Sequence, residues 1–315
     1  MISNYKYFLV IAEELSISNA SRKLFVSHQG LSKYIKSLEE EFGTALFERK
    51  PKFALTPAGK ILMESLREVE LIEKNFYEEL ENIKNSKAGE IRFGITEGRY
   101  SIVIPKLLKK FYEIYPNVKL KIFRESSLKM QDMIHNNSLD LFLAGTDNLD
   151  MTNLKSRTVV NESMYIVISD NLLEKYFPET FPECKKKFQN GVDLKLFEEI
   201  PFVLSEKKLV SRILLDKYLN DRNITLNCIN ELTQPEIFLS LSAEDYAASF
   251  CLSMYLSGIE QFSKFENEIS HLNVFPIKDF FLKNNLSLIY HKNKKFPSYV
   301  NDFMEIVKEI CNPYT

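Results

Sequence analysis

The first sixty residues carry apolar and polar positions at the spacing of short helices, and the order of those helices is specific. Ala20 and Leu24 lie one turn apart in a short helical segment, Asn19 to Leu24, with Ser18 before it as a candidate N-cap. Phe25 and Val26 make a turn, and Ser27 can cap a second helix running to Phe42. In that helix Leu31, Ile35, Leu38 and Phe42 recur at spacings of four, three and four, which is one buried stripe. Its opposite face shows His28, Gln29, Ser32, Lys33 and Lys36, all able to bond to base edges or phosphates. A basic two-stranded wing with Arg49, Lys50 and Lys52 is expected next. That order suits a first helix that braces and a second that inserts into a DNA major groove, where Ser27, Ser32 and Lys36 are expected near phosphates and His28, Gln29 and Lys33 are expected to face bases. Ser18 and Asn19 add backbone contacts, and the wing adds backbone or minor-groove contacts.

A longer helix is predicted over residues 57–87. Leu62, Leu66, Val69, Phe76, Leu80 and Ile83 fall at heptad a/d spacing, with Glu73 as the only break. About 30 helical residues reach roughly 45 Å. Such a stripe is expected to pair with its copy in a second chain, presenting two reading helices to a partly palindromic site. Asn85 to Gly89 then reads as a hinge.

Beyond the hinge, strands alternate with helices. Strands are expected at 90–95, 118–124, 139–144, 164–168, 202–204, 247–251 and 286–290, and helices at 102–115, 128–136, 211–222, 234–242 and 297–311, with Pro105 in the first turn of the first of these. That order implies a mostly parallel sheet with ligands at the carboxyl ends of its strands.

The N-terminal residues resemble the winged helix-turn-helix of LysR-type transcriptional regulators. The resemblance rests on Ala20-Ser21, Leu24, Ser27 to Lys33, Ile35, Leu38-Glu39, Phe42-Gly43, Leu46-Phe47, Arg49, Leu55-Thr56 and Ala58-Gly59. His28 stands where the family usually has Gln, Gln29 where it has Pro, and Lys33 where it often has Arg. These departures touch base preference rather than the mode of binding. The resemblance implies a multidomain α + α/β chain: a winged helix-turn-helix at 1–58, a linker and dimerisation helix at 59–88, and a two-lobed α/β effector-binding domain at 89–315, similar to type 2 periplasmic binding proteins. Lobe one would comprise 90–162 and 268–315, and lobe two 163–267.

The same resemblance assigns effector contacts to the loops that follow strands: Thr96, Glu97, Gly98, Arg99, Tyr100 and Ser101 after the first strand, Ser126 and Ser127 after the second, Thr146 after the third, and Ser205 in lobe two. Backbone amides opening the first helix suit an anion, and Arg99 offers a fixed charge that Glu97 could instead neutralise. A small anionic or zwitterionic effector is expected. Where the family has a glycine-rich segment, Ser242 to Tyr246 here is bulkier and acidic, and it is expected to reshape the cleft wall.

The charge balance sharpens this picture. The chain of 315 residues carries net charge −2 with 45% hydrophobic residues, ample for real cores. Residues 1–60 hold nine Lys or Arg against six Asp or Glu, a local excess of only three. Useful DNA affinity therefore requires coupled copies of the module and modest salt. Cys184, Cys228, Cys251 and Cys311 are far apart in sequence and read as reduced core thiols; a redox role, known for some relatives, stays as the minor alternative. No secretory signal, membrane span, nucleotide-binding loop or catalytic motif is legible. The expected protein is a cytoplasmic, nucleoid-associated regulator and not an enzyme, with no cofactor and no metal. Its expected partners are double-stranded DNA, a small molecule, RNA polymerase and further copies of itself, as homodimer or homotetramer. Effector, operator, target genes and the sign of regulation are not encoded in a legible way.

Overall fold

The structure is a computed structural model that describes residues 4–49, 52–84, 89–234, 236–256, 272–280 and 284–314, apart from the side chains of 78, 79, 81–84, 236 and 284. Two compact units result, one built on residues up to Lys84 and one on the residues that follow.

The first unit opens with α1 (Tyr5–Glu14), α2 (Ile17–Leu24) and α3 (His28–Phe42), followed by a minimal hairpin of β1 (Phe47–Glu48) and β2 (Ala54–Leu55) and by α4 (Pro57–Lys84). Helix α2 begins two residues earlier than its sequence suggests. Ser16, not Ser18, is its N-cap, accepting from the Asn19 amide at 3.3 Å. Ser27 caps α3 as expected, through the Gly30 amide at 3.1 Å. Phe8, Ile11, Ala20, Leu31, Ile35 and Leu38 form the core. Each large side chain so buried contributes about 1.5–3 kcal/mol. The wing closes onto it through Phe47, stacked on Phe53 at 4.9 Å, while the Glu39 carboxylate accepts the Leu46 and Phe47 amides.

The second unit holds two five-stranded sheets. One has the order β4-β3-β5-β12-β6, from β3 (Gly89–Ile95), β4 (Val118–Arg124), β5 (Leu141–Gly145), β6 (Leu154–Glu162) and β12 (Asn284–His291). The other has the order β11-β7-β10-β8-β9, from β7 (Met164–Ser169), β8 (Pro201–Ser205), β9 (Asn227–Leu232), β10 (Ala248–Leu252) and β11 (Leu272–Pro276). Helices α5 (Glu97–Ile114), α6 (Ser127–His135) and the final α11 (Ser298–Cys311) belong to the first lobe; α7 (Asp170–Tyr176), α8 (Cys184–Phe188), α9 (Val210–Arg222) and α10 (Glu236–Ala243) belong to the second.

Four expectations are corrected. The sheets are mixed rather than mostly parallel: β12 pairs antiparallel with β5 and β6, and β7 with β10 and β11, because the chain crosses between lobes and returns. Strands β6, β9 and β11 were not anticipated. Since β11 pairs with β7 and Phe280 packs in the second core, lobe two extends through Phe280 rather than ending at 267. Helix α5 starts at Glu97, so Pro105 lies in its interior and not in its first turn.

In each lobe the strand order reverses next to the first strand of a parallel set, between β3 and β5 and between β8 and β10. Those are the points where an open α/β sheet leaves a crevice.

Candidate functional site

Helix α3 has two faces. Leu31, Ile35 and Leu38 are buried, while His28, Gln29, Lys33 and Lys36 are exposed and Ser32 is half-buried. Ser18 and Asn19 are exposed at the start of α2, and Asn19 Oδ1 accepts from Arg22 at 2.7 Å, which adds an unanticipated cation to this surface. Arg49 and Lys52 are exposed on the wing; Lys50 lies outside the described residues. Phe25, at the turn, is 94% exposed and adopts a left-handed backbone with φ 55°.

Helix α4 divides the heptad residues into two groups. Leu66 is buried and Leu62 half-buried in the core of their own unit, so neither is free to form a seam with a second chain. Glu73, the break in the heptad, faces the same unit: its carboxylate accepts the Tyr5 hydroxyl at 2.5 Å and lies 2.9 Å from Lys6. On another face Val69, Ile72, Phe76 and Leu80 are exposed at spacings of three and four, Ile72 by 65% and Phe76 by 56%. Ile72 therefore takes the stripe position that the sequence pattern gave to Glu73. The Ile83 side chain lies outside the described residues.

In the second unit a cavity of about 620 Å³ opens where the two reversal points meet. Thr96, Glu97, Gly98, Arg99, Ser126, Ser127 and Ser205 line it, as expected. Tyr100, Ser101 and Thr146 do not. Residues 96–101 are not a loop: Thr96 is the N-cap and the rest is helix, which turns Tyr100 into the core and Ser101 to solvent. Gly145 and Asn148 line the wall near Thr146 instead. The Ser242 to Tyr246 segment is also absent from the lining; Ser242 Oγ bonds to the Ala247 carbonyl and to Ser249 Oγ inside lobe two.

The first turns of three helices reach this cavity: α5 through Gly98, α6 through Ser127 and α9 through Ser211. Neither Thr96 of α5 nor Leu209 of α9 supplies a side-chain cap. Apart from the Arg99 amide, which donates to the Thr96 carbonyl, the first-turn amides of these two helices lack an intrahelical acceptor, and each helix adds roughly half a positive charge there. A Cβ at Gly98 would stand 2.5 Å from Tyr255 Oη, so a side chain there would push the Tyr255 ring aside.

Arg99 is not the free cation that the sequence suggested. It is 7% exposed, its Nη2 meets Glu162 Oε2 at 2.5 Å, and its guanidinium lies 5.7 Å from the centre of the Tyr255 ring. Burial is the largest single influence and disfavours its charge, but the Glu162 carboxylate together with Tyr255 and Cys311 outweighs it and raises its pKa. Glu97 pairs instead with Arg124 at 2.9 Å. Arg212 pairs with Asp216 and Glu231, and Lys208 with Glu206. Glu162 and Tyr255 eluded sequence reading because both act from the crossings between lobes, at the end of β6 and just after β10. Arg124 was legible in principle, as the last residue of a predicted strand.

A family model described as the bacterial regulatory helix-turn-helix protein of the lysR family matches residues 2–60, and one for the LysR substrate binding domain matches residues 84–312. A probable RuBisCO transcriptional regulator of Thalassiosira pseudonana is 26% identical over 310 residues, covering 96% of each chain. Full-length OxyR from Pseudomonas aeruginosa, in a variant form, superposes with TM-score 0.69 at 16% identity, covering 98% of this chain and 94% of that one. Full-length CbnR in complex with its target DNA does so with TM-score 0.56 at 16% identity, covering 98% and 99%.

Proposed function

Because the chain belongs to the LysR family of DNA-binding, effector-responsive transcriptional regulators, and not to a family of enzymes, we propose that two copies joined along α4 read a partly palindromic operator and answer to a small anionic or zwitterionic molecule held between the lobes. The exposed polar face of α3, opposite its buried stripe, carries this reading. His28, Gln29 and Lys33 face base edges, each good contact adding about 1–3 kcal/mol of discrimination. Ser27, Ser32, Lys36, Ser18, Asn19, Arg49, Lys50 and Lys52 hold the duplex backbone or the minor groove.

Supporting the dimer is the stripe of Val69, Ile72, Phe76 and Leu80, which nothing in its own unit covers among the described residues. Dimers pair into tetramers through the second units. Effector binding changes the relation between lobes, and the stiff α4 conveys this to the reading helices, altering DNA bending and access by RNA polymerase. A coupling of about 1–3 kcal/mol suffices. The protein works in the bacterial cytoplasm, on the nucleoid. No helix of the described residues is long and apolar enough to cross a membrane.

The relative from Thalassiosira pseudonana is named for RuBisCO regulation, which makes carbon-fixation genes one target class to screen. The test is selection of bound genomic fragments followed by gel retardation. One or a few fragments should be retained, and Lys33→Ala should weaken the complex at least tenfold. Indifference to sequence would refute the reading.

A further inference from the structure

The cavity between the lobes is chemically divided, and the division defines what fits it. Lobe one contributes polar groups, among them Thr96, Arg99, Arg124, Ser126 and Asn148, with Leu128 and Ala144 as its apolar contributions among the described residues. Lobe two contributes most of the apolar lining, Met164, Val203, Leu215, Phe238, Phe250 and Leu252, beside a polar rim of Ser205, Lys208, Ser211, Arg212 and Thr233. Phe250 is held flat by stacking on Phe202, with centroids 5.1 Å apart and planes 11° from parallel. A sugar or a small polyol filling this space would lose the hydration of its hydroxyls against carbon, at considerable cost.

The charge around the cavity is nearly spent. Arg99, Arg124, Lys208 and Arg212 each face a carboxylate, and Glu125 adds a further negative group to the lining. Positive potential remains from the uncapped first turns of α5 and α9. Arg99 Nε, buried behind the lining and without a hydrogen-bond partner, is an unfilled donor in the same wall. Two half-charges suit one negative group better than the several charges of a phosphate ester.

We infer that the ligand of this cleft is an amphipathic organic monoacid, whose single carboxylate meets the polar groups and the N-termini of α5 and α9 at the mouth of the two lobes while its ring or alkyl chain lies on the apolar residues of lobe two. This rests on reading the cleft as the effector site. An acid of this kind touches both lobes with chemically different ends, so it binds best when they are correctly spaced, which is the differential affinity a switch requires.

The test is calorimetric titration of the full-length protein with straight-chain carboxylates from acetate to octanoate, the matching primary alcohols, glycerol phosphate and glycine. Affinity should rise about fourfold per methylene until the wall is covered, and each alcohol should bind at least tenfold more weakly than its acid. Phe250→Ala should flatten the dependence on chain length while leaving the preference of acid over alcohol. Tighter binding of glycerol phosphate or glycine, no dependence on chain length, or no binding of any acid at millimolar concentration each overturns the inference. Retardation of the selected DNA fragment with and without the best acid separates the two readings. If the acids bind as described but the complex with DNA is unchanged, the ligand class stands and the effector role falls. If cell extract shifts the complex while the acids fail, the effector role stands and the ligand class falls.

Discussion

Arg99 and Glu162 form a buried ion pair at 2.5 Å, joining the first turn of α5 to the last residue of β6, one residue before the chain crosses into lobe two. Glu162 is 1% exposed, so either partner left alone would be a charge without water. Removing one partner of such a pair costs about 3–5 kcal/mol, whereas replacing both with apolar groups is often close to neutral. Arg99→Met is therefore expected to lower the melting temperature of the full chain sharply, and Arg99→Met combined with Glu162→Leu to recover most of the loss. Equal melting of the single and double variants would mean that the pair is not coupled.

Gly59 sits at the start of α4, where a Cβ would stand 2.1 Å from the Leu46 carbonyl oxygen. Backbone cannot move aside as a side chain can. Gly59→Ala should separate the wing from α4, cost about 1–3 kcal/mol in urea unfolding, and weaken DNA binding along with stability. A variant as stable as the parent would remove this constraint from the account.

Tyr34 lies against Tyr7 edge to face, with its hydroxyl buried and without a hydrogen-bond partner. Burial, with help from Glu41, pushes its pKa up to about 12. A raised folded-state value means that the contribution to stability is complete below pH 10 and is lost as pH climbs from 10 towards 12, where the unfolded chain ionises and the folded one resists. Tyr34→Phe should match or exceed parental stability at pH 7 and lose less between pH 10 and 12. Thermal melts at both ends of that window decide it.

How the two faces of α4 are used predicts a contrast between variants. Phe76→Glu, or Ile72→Glu, should break the α4 pairing and halve the mass found by light scattering, with the fold intact by circular dichroism. Leu66→Glu should unfold the first unit instead, because Leu66 belongs to its core. The same halving by Leu66→Glu with an intact fold would reverse the assignment.

The parts legible in the sequence are those that depend on local period. Helix α3, its Ser27 cap and the buried stripe of Leu31, Ile35 and Leu38 follow from spacing alone. The Arg99–Glu162 pair does not: its partners are 63 residues apart, and they meet only because β6 runs beside β12 at the edge of a sheet. Strand β6 itself was hidden by its polar, exposed residues. Pro105 misled in the opposite direction. It usually marks the first turn of a helix, yet here it sits inside α5, one turn after Ser101 on the same exposed face, so the residues before it looked like a loop. The same error carried Tyr100 and Ser101 into the expected site. At α4 the heptad was real but shared by two faces, which a one-dimensional pattern cannot separate.

The most direct test of the central claim is footprinting of the selected genomic fragment by the parent protein and by Phe76→Glu. Two coupled reading helices should protect two half-sites on one side of the duplex, spaced by about 10 base pairs or a multiple of it, and Phe76→Glu should lose both together. A single protected site that survives in Phe76→Glu, or no protection of any fragment at low salt, would contradict the account.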